Sequence, residues 1–258
     1  AVTAAALLGP WSACIVLAVV LLLQALLFGD GGITALGTNI LNMGVVAGIF
    51  TYPLLRGLRA LLPAGRNGYV LAAAITSWAS IVLAAGFCAV ELALSGTSPL
   101  GLALPAMAGT HAVIGVGEAL ITVAVLTAVA AARPDIVPAW ARLDGATRPH
   151  RVGSTVRGLA AAGLGVAVAL ALFASPFASS SPDGLEKVAE DQGFIARASE
   201  TPVWTRSLFP DYQVESVASE RGATGVAGLI GTVLVFACGY LAIRLLIRPS
   251  GREDRSRP

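Results

Sequence analysis

The sequence predicts an all-α integral membrane protein, with six transmembrane helices, the remnant of one more, and a small extracytoplasmic domain. Three observations carry this. Of 258 residues, 56% are hydrophobic and only 12% are charged, about half the roughly 25% charge of soluble domains. The apolar residues fall in continuous runs, each near the roughly 20 residues that a helix needs to cross a hydrocarbon core of about 30 Å. The connections between runs alternate between arginine-rich and arginine-free. A water-soluble globule, a disordered chain and a nucleic-acid binder are excluded by the same composition, and a formal charge of +2 calls for no polyanionic partner. A closed barrel is excluded too, because its strands would alternate in polarity over about ten residues.

Ala1 to Leu8 is apolar but too short to span, and it stops at Gly9-Pro10, where a helix should end. It reads as the last turns of a membrane helix that begins before Ala1; an interfacial helix is the alternative. The six spans follow as Trp11 to Phe28, Ile40 to Leu62, Tyr69 to Leu94, Pro105 to Ala132, Gly158 to Ala178 and Gly222 to Ile243. Arg56 and Arg59 close the second span, where long side chains reach the interface. Arg56, Arg59 and Arg66 follow the second span, five arginines fall in 133–157, and five lie in the C-terminal tail. Residues 29–39 and 95–104 carry no Lys or Arg, and 179–223 holds eight acids against four bases. The positive-inside rule then places 56–68, 133–157 and the C-terminus in the cytoplasm of a plasma-membrane protein. Segment 179–223 is the extracytoplasmic domain, too small for a core of its own. The organisation is a four-span unit (1–132), a basic linker (133–157) and a two-span unit (158–258).

Cys14, Cys88 and Cys238 lie singly in apolar runs and behave as small hydrophobes. No phosphate-binding Gly-x4-Gly-Lys-Ser/Thr occurs, and the only lysine is Lys187, so ATP hydrolysis must come from another chain. Polar residues inside the membrane mark the chemistry, because placing them there is expensive. Gln24 and the Gly29-Asp30-Gly31-Gly32 reentry, Asn39 and Asn42, Glu91, and His111 with Glu118 all map to the outer half or mouth. That set suits a cavity receiving a small cation from outside. His111 and Glu118, seven residues apart, share one helix face. His111 reads either as a metal ligand or proton carrier, or as a histidine bonded between helices. Glu118 is either functional or a fixed partner of His111. Asn39 and Asn42 either line the site or cap and bridge helices. Asp30 reads as a turn residue, with a ligand role as the alternative, and Glu91 as an interfacial residue.

Two long strings, Leu26 to Gly44 (LLFGDGGITALGTNILNMG) and Leu104 to Thr122 (LPAMAGTHAVIGVGEALIT), resemble the signature of the M-type substrate-specific subunit of cobalt/nickel energy-coupling-factor transporters. Pro182-Asp183-Gly184-Leu185-Glu186 is similar to the PDGLE signature of the N-type subunit, which has two spans and an outer loop. The resemblance covers nearly the whole chain, in the order of an M–N fusion. It implies import of Co(II) or Ni(II), for cobalamin synthesis or nickel enzymes, with a transmembrane coupling subunit and ATP-binding ATPase subunits as partners. It implies no enzymatic role and no cofactor beyond the transported ion. The family's primary ligands, an N-terminal Met-His-Ile-Pro segment and a histidine before the third helix, are absent from this chain. His111 is then the candidate metal residue, with Glu118, Asn39, Asn42 and Asp30 around the cavity. Two alternatives remain: a non-catalytic scaffolding or regulatory membrane subunit, and an intramembrane enzyme using His111 and Glu118 as an acid–base pair.

Overall fold

The computed structural model describes residues 1–132, 137, 152–177, 181–197, 203–214 and 216–246. Of the basic linker, residues 133–136 and 138–151 lie outside them. The described residues form helices joined by turns and irregular segments, with no strand among them. The elements are α1 (Val2–Leu8), α2 (Pro10–Leu23, continued by a π turn Gln24–Phe28), α3 (Leu36–Asn39, continued by a π segment Ile40–Phe50) and α4 (Tyr52–Leu61). Then come α5 (Arg66–Leu94), α6 (Leu100–Ala132), α7 (Val152–Ala169, carried on by π and 3-10 turns to Phe177), α8 (Gly184–Asp191) and α9 (Glu220–Leu246).

Five stretches among the described residues are long and apolar enough to cross a membrane: Pro10–Phe28, Leu36–Leu61, Arg66–Leu94, Leu100–Ala131 and Glu220–Leu241. Gly163–Phe177 is a shorter apolar helix, in the place where the sequence predicts the fifth of six spans. The protein is a multi-pass membrane protein. Its spans begin a few residues earlier than hydropathy alone suggests, because Arg66, Leu100 and Glu220 continue the helical hydrogen bonding past the apolar run.

Gly9 breaks α1 from α2. Its φ of 84° with ψ of 163° is open to glycine and costly for any other residue, and Pro10 restarts the helix at the first position. The short α1 is not a surface helix. Val2 and Ala5 are buried, and Ala6 joins Leu55, Tyr69, Ala72, Ala73, Leu126 and Ala130 in one core cluster. This cluster marks the arginine end of the bundle.

In the second span the π segment ends at Phe50, and Thr51 precedes the first turn of α4, which contains Pro53. Proline has no N–H to give a preceding carbonyl. The buried Thr51 hydroxyl donates to Ala47 O at 2.6 Å, a back-bond of a kind that often bends a helix. The pair α5–α6 forms the central hairpin. Small residues (Ala85, Ala89, Ala103) let the helices approach, and Ser77 and Thr122 hydroxyls meet at 2.9 Å in the buried seam. The outward faces are apolar, with Val113 76% and Leu120 67% exposed, as lipid contact requires.

Helix α9 packs against two partners through glycines. Gly228 lies against the Ala171 backbone and Cβ. A Cβ built at Gly231 would meet Phe28 Cζ at 2.8 Å, so α9 also seats on α2. The two halves of the chain thus touch inside the apolar layer as well as at its edge.

Candidate metal-handling site

The polar residues singled out from the sequence, except Glu118, cluster at the end opposite the arginines. This is the glycine-rich end, where Gly29, Gly31 and Gly32 all take positive φ to turn the chain between α2 and α3. Glu118 lies 18 residues along α6, beside Ser77 and away from the mouth where the sequence placed it.

His111 sits on α6, half-buried. Its Nδ1 lies 2.8 Å from Met107 O, an acceptor only, so Nδ1 is the donor in that bond and Nε2 is the nitrogen left facing away from α6. The Nε2 edge faces the polar segment: a Cβ built at Gly184 would fall 2.6 Å from both Nε2 and Cε1 of His111. Gly184 is the first residue of α8, whose N-cap Asp183 accepts from Glu186 N at 2.7 Å. The order Pro-Asp-Gly therefore has a physical reading. Asp183 caps the helix, and Gly184 clears room for the histidine ring. Val188, one turn on, enters the core of Met107, Ala85, Ala89 and Ala103. Phe194 packs on the same cluster.

Asn42 is 7% exposed, and its Nδ2 donates to Glu91 Oε2 at 2.8 Å, tying the second span to α5. The bond takes Glu91 beyond the interfacial role that its place near a helix end suggests. Asn39 is half-buried, with its amide close to Gly31. Glu118 is exposed on α6. Its backbone oxygen accepts from Ser77 at 3.4 Å, and its side chain makes no hydrogen bond to His111.

Asp30 has a larger part than a turn residue. Its Oδ2 accepts from the Tyr212 hydroxyl at 2.5 Å and from Gln24 Nε2 at 3.1 Å, and Gln24 Nε2 also donates to the Tyr212 oxygen at 3.0 Å. The Tyr212 ring stacks on Phe28 at 4.6 Å. Burial, with the Asp30 carboxylate beside it, pushes the Tyr212 phenol up to about 12. Asp211 and Tyr212 hold positive φ of 52° and 58°, strain that the aromatic stack and the hydrogen bonds offset.

The π turn at the end of α2 leaves carbonyls without helical donors. Trp204 Nε1 donates to Leu26 O at 2.9 Å, and Phe209 N to Leu27 O at 2.8 Å. Arg197 adds a third tether, from Nη1 to Gly96 O at 2.5 Å. The polar segment is thus fixed on α6, on the end of α2 and on the α5–α6 turn. Sequence reasoning missed Trp204, Phe209 and Tyr212 as contacts; their signal was an aromatic cluster in an otherwise polar stretch. Among the described residues, no three His, Cys, Asp or Glu side chains converge as a metal-binding group.

Comparison with known proteins agrees with this two-part construction. Residues 1–136 match the family described as "Cobalt uptake substrate-specific transmembrane region", and residues 157–248 match the PDGLE domain. A fused nickel transport protein of Archaeoglobus fulgidus is 35% identical over 240 residues, covering 92% of this chain and 74% of the relative. The fused nickel transport protein of Rhodobacter capsulatus is 32% identical over 281 residues, covering 96% and 79%. A cobalt transport protein of Sorangium cellulosum is 35% identical over 145 residues, covering 52% and 60%. No solved structure matches the chain. With its M-type signature and its PDGLE helix seated on His111, the chain belongs to the cobalt-uptake substrate-specific transmembrane family, in the fused form that carries a PDGLE domain.

Proposed function

We propose that this protein is the substrate-binding component of an ATP-driven importer of the energy-coupling-factor type, capturing Ni(II) or Co(II) at the glycine-rich end. The observation that carries the reading is the seating of Gly184 against the Nε2 edge of His111. It joins the PDGLE motif to the one histidine of the membrane unit, so the polar segment and the membrane unit meet at that end. In this reading the glycine-rich end faces outward and the C-terminus is cytoplasmic, as arginine placement requires. Asn39, Asn42 and Asp30 shape the mouth, and Glu118 lies further along the same helix. The polar segment assists loading by holding the end of α2 and α6 together. A transmembrane coupling subunit and ATPase subunits supply the energy, and the arginine end is the natural face for them. The domain division 1–132, 133–157 and 158–258 belongs to the same proposal.

The test is accumulation of radioactive nickel and cobalt by cells expressing the full-length gene with its partner subunits. ATP-dependent uptake of either metal is the expected result, and its absence overturns the reading. A second reading, a scaffolding or regulatory membrane subunit, is favoured by the lack of a three-ligand cluster among the described residues. Calorimetric titration of the purified chain separates the two: micromolar binding of Ni(II) or Co(II) excludes a purely scaffolding part.

A further inference from the structure

Between the end of α2, the glycine-rich reentry and the 203–214 stretch lies a cavity of about 350 Å³, at the small end of the roughly 300–1,000 Å³ found for ligand pockets. Thr34, Thr205 and Asp211 on its walls are exposed, so solvent reaches it directly. Two glycines with positive φ, Gly29 and Gly32, line it on the reentry side. A Cβ built at Gly29 would meet Ser207 Oγ at 3.2 Å, and one at Gly32 would meet Thr34 Oγ1 at 3.9 Å. The hydroxyl of Ser207 thus closes on the reentry from the opposite wall, and the two walls face each other at short range.

The lining chemistry is specific. Trp204 supplies an aromatic wall, and the bond from its Nε1 to Leu26 O at 2.9 Å holds the indole in place before any ligand arrives. The side chains of Asp211, Thr34, Thr205 and Ser207 hydrogen-bond to no other described residue, so one carboxylate and three hydroxyls are available. No Lys, Arg or His lines the cavity, and Arg206, between Thr205 and Ser207, stays outside it. A second carboxylate, Asp30, adjoins Gly29 in the chain. The remainder is apolar, from Ala25, Ile33, Val203 and Pro210. A divalent metal ion is poorly served here, because one carboxylate leaves most of its oxygen shell to water and the apolar wall gives nothing. A weakly hydrated organic cation is well served. Its charge pairs with the carboxylate and the indole, and its carbon atoms rest on the apolar wall.

We propose that this cavity binds a small alkylated ammonium group, the chemistry of choline, with its charge on Asp211 and its methyl groups against Trp204. The hydroxyls of Thr34, Thr205 and Ser207 serve the polar end of the ligand. The site is separate from His111. The same group reaches it either as a free amine or as a lipid headgroup, because the cavity begins at Phe28, where the apolar stretch Pro10–Phe28 ends. An occupant bridges the reentry and the polar segment beside the bond between Tyr212 and Asp30. Binding here is a property of the chain alone and does not depend on the import reading.

Radiolabelled choline is the probe. The purified full chain in dodecyl maltoside, a micelle with neither charge nor amine, is titrated with it. One saturable site per chain is expected, millimolar or tighter. Asp211→Asn removes the charge and keeps the left-handed backbone, which Asn accepts as Asp does; it should weaken binding about tenfold or more. Trp204→Phe and Trp204→Leu both lose the bond to Leu26 O, so the gap between them reports the aromatic face alone. The Phe variant should bind about two- to fivefold tighter than the Leu variant. Glu190→Gln, a charge change on α8, should leave binding unchanged. Parent-like circular dichroism and protease resistance within 203–214 show that each variant is folded. No saturable binding by the parent chain, or equal binding by folded Asp211→Asn, overturns the site. Equal binding by the two folded Trp204 variants overturns the ligand class, and loss in Glu190→Gln overturns the site in favour of diffuse surface charge. Phosphatidylcholine added to the micelles displaces choline if the headgroup is the natural source and leaves it bound if the free amine is; both results support the site. Failure of nickel and cobalt uptake in cells would leave choline binding intact, so the two readings fail separately.

Discussion

Gly184 and His111 are in contact with no room between them for a side chain: a Cβ at Gly184 would lie 2.6 Å from both Cε1 and Nε2 of the ring. Gly184 opens a helix whose Val188 is buried in the α5–α6 core, so the glycine cannot retreat without moving that helix. Gly184→Ala should therefore lift α8 from α6, at a cost of about 1–3 kcal/mol for overpacking. The expected readouts are faster proteolysis within 181–197 and reduced nickel or cobalt uptake. The double variant Gly184→Ala with His111→Ala should recover protease resistance, because the clash is gone, but not uptake. Unchanged proteolysis in the single variant would refute the contact.

The latch at Tyr212 carries a pH dependence with a definite sign. Its phenol is pushed from 10.0 up to about 12 in the folded protein, so the folded state holds the proton more tightly than the unfolded one. The associated stability is fully present below pH 10 and is lost as pH rises from there toward 12. Protease resistance of the polar segment should hold up to about pH 10 and decline above it. Tyr212→Phe keeps the stack on Phe28 but removes the hydrogen bonds to Asp30 and Gln24. It should cost about 1–2 kcal/mol at neutral pH, and the alkaline decline attributable to this group should disappear.

Much of this fold was legible because a membrane span is a local property of sequence. A run such as Pro10–Phe28 announces itself by hydropathy, whatever it packs against. The polar residues of the site were legible for the same reason, as His111, Asn42, Asn39, Asp30 and Glu118 stand out against an apolar background. Their partners were not. Asn42 meets Glu91 across 49 residues and Tyr212 meets Asp30 across 182, and no periodicity encodes such pairings. The π segment Ile40–Phe50 left only Pro53 as a trace, since one extra residue per turn changes hydrogen bonding without changing hydropathy. Glu118 lies inside the fourth apolar run, where a carboxylate is expensive, yet it is exposed on the bundle surface. Exposure depends on which helix covers which face, and that is decided by tertiary packing.

Inside the α5–α6 hairpin, the Ser77 and Thr122 hydroxyls meet at 2.9 Å in a buried seam. Hydrogen bonds between membrane helices are worth about 0.6 kcal/mol on average and at most about 1.7. Ser77→Ala and Thr122→Val should each lower thermal stability slightly in detergent. Their double-mutant cycle should give a coupling of about 0.5–1.5 kcal/mol. Additive effects would show that the two hydroxyls are satisfied elsewhere. Neither change touches the glycine-rich end, so metal uptake should remain at parent levels.

Gly231 tests whether the two halves of the chain are joined within the apolar layer. A Cβ there would sit 2.8 Å from Phe28 Cζ, and Phe28 in turn stacks on Tyr212 and lies 6.0 Å from Phe209. An added methyl would push Phe28 away from α9 and disturb the aromatic group that anchors the polar segment. Gly231→Ala should cost about 1–3 kcal/mol and raise protease sensitivity in 203–214, while 181–197 stays protected by its separate seat on α6. Gly231→Ala combined with Phe28→Leu should recover part of the thermal stability, because leucine withdraws from the contact while keeping apolar volume. If Gly231→Ala leaves both stability and proteolysis unchanged, then α9 and α2 are not in register at Phe28. The polar segment would then be held to the membrane unit by its tethers at α6, the α5–α6 turn and the end of α2 alone.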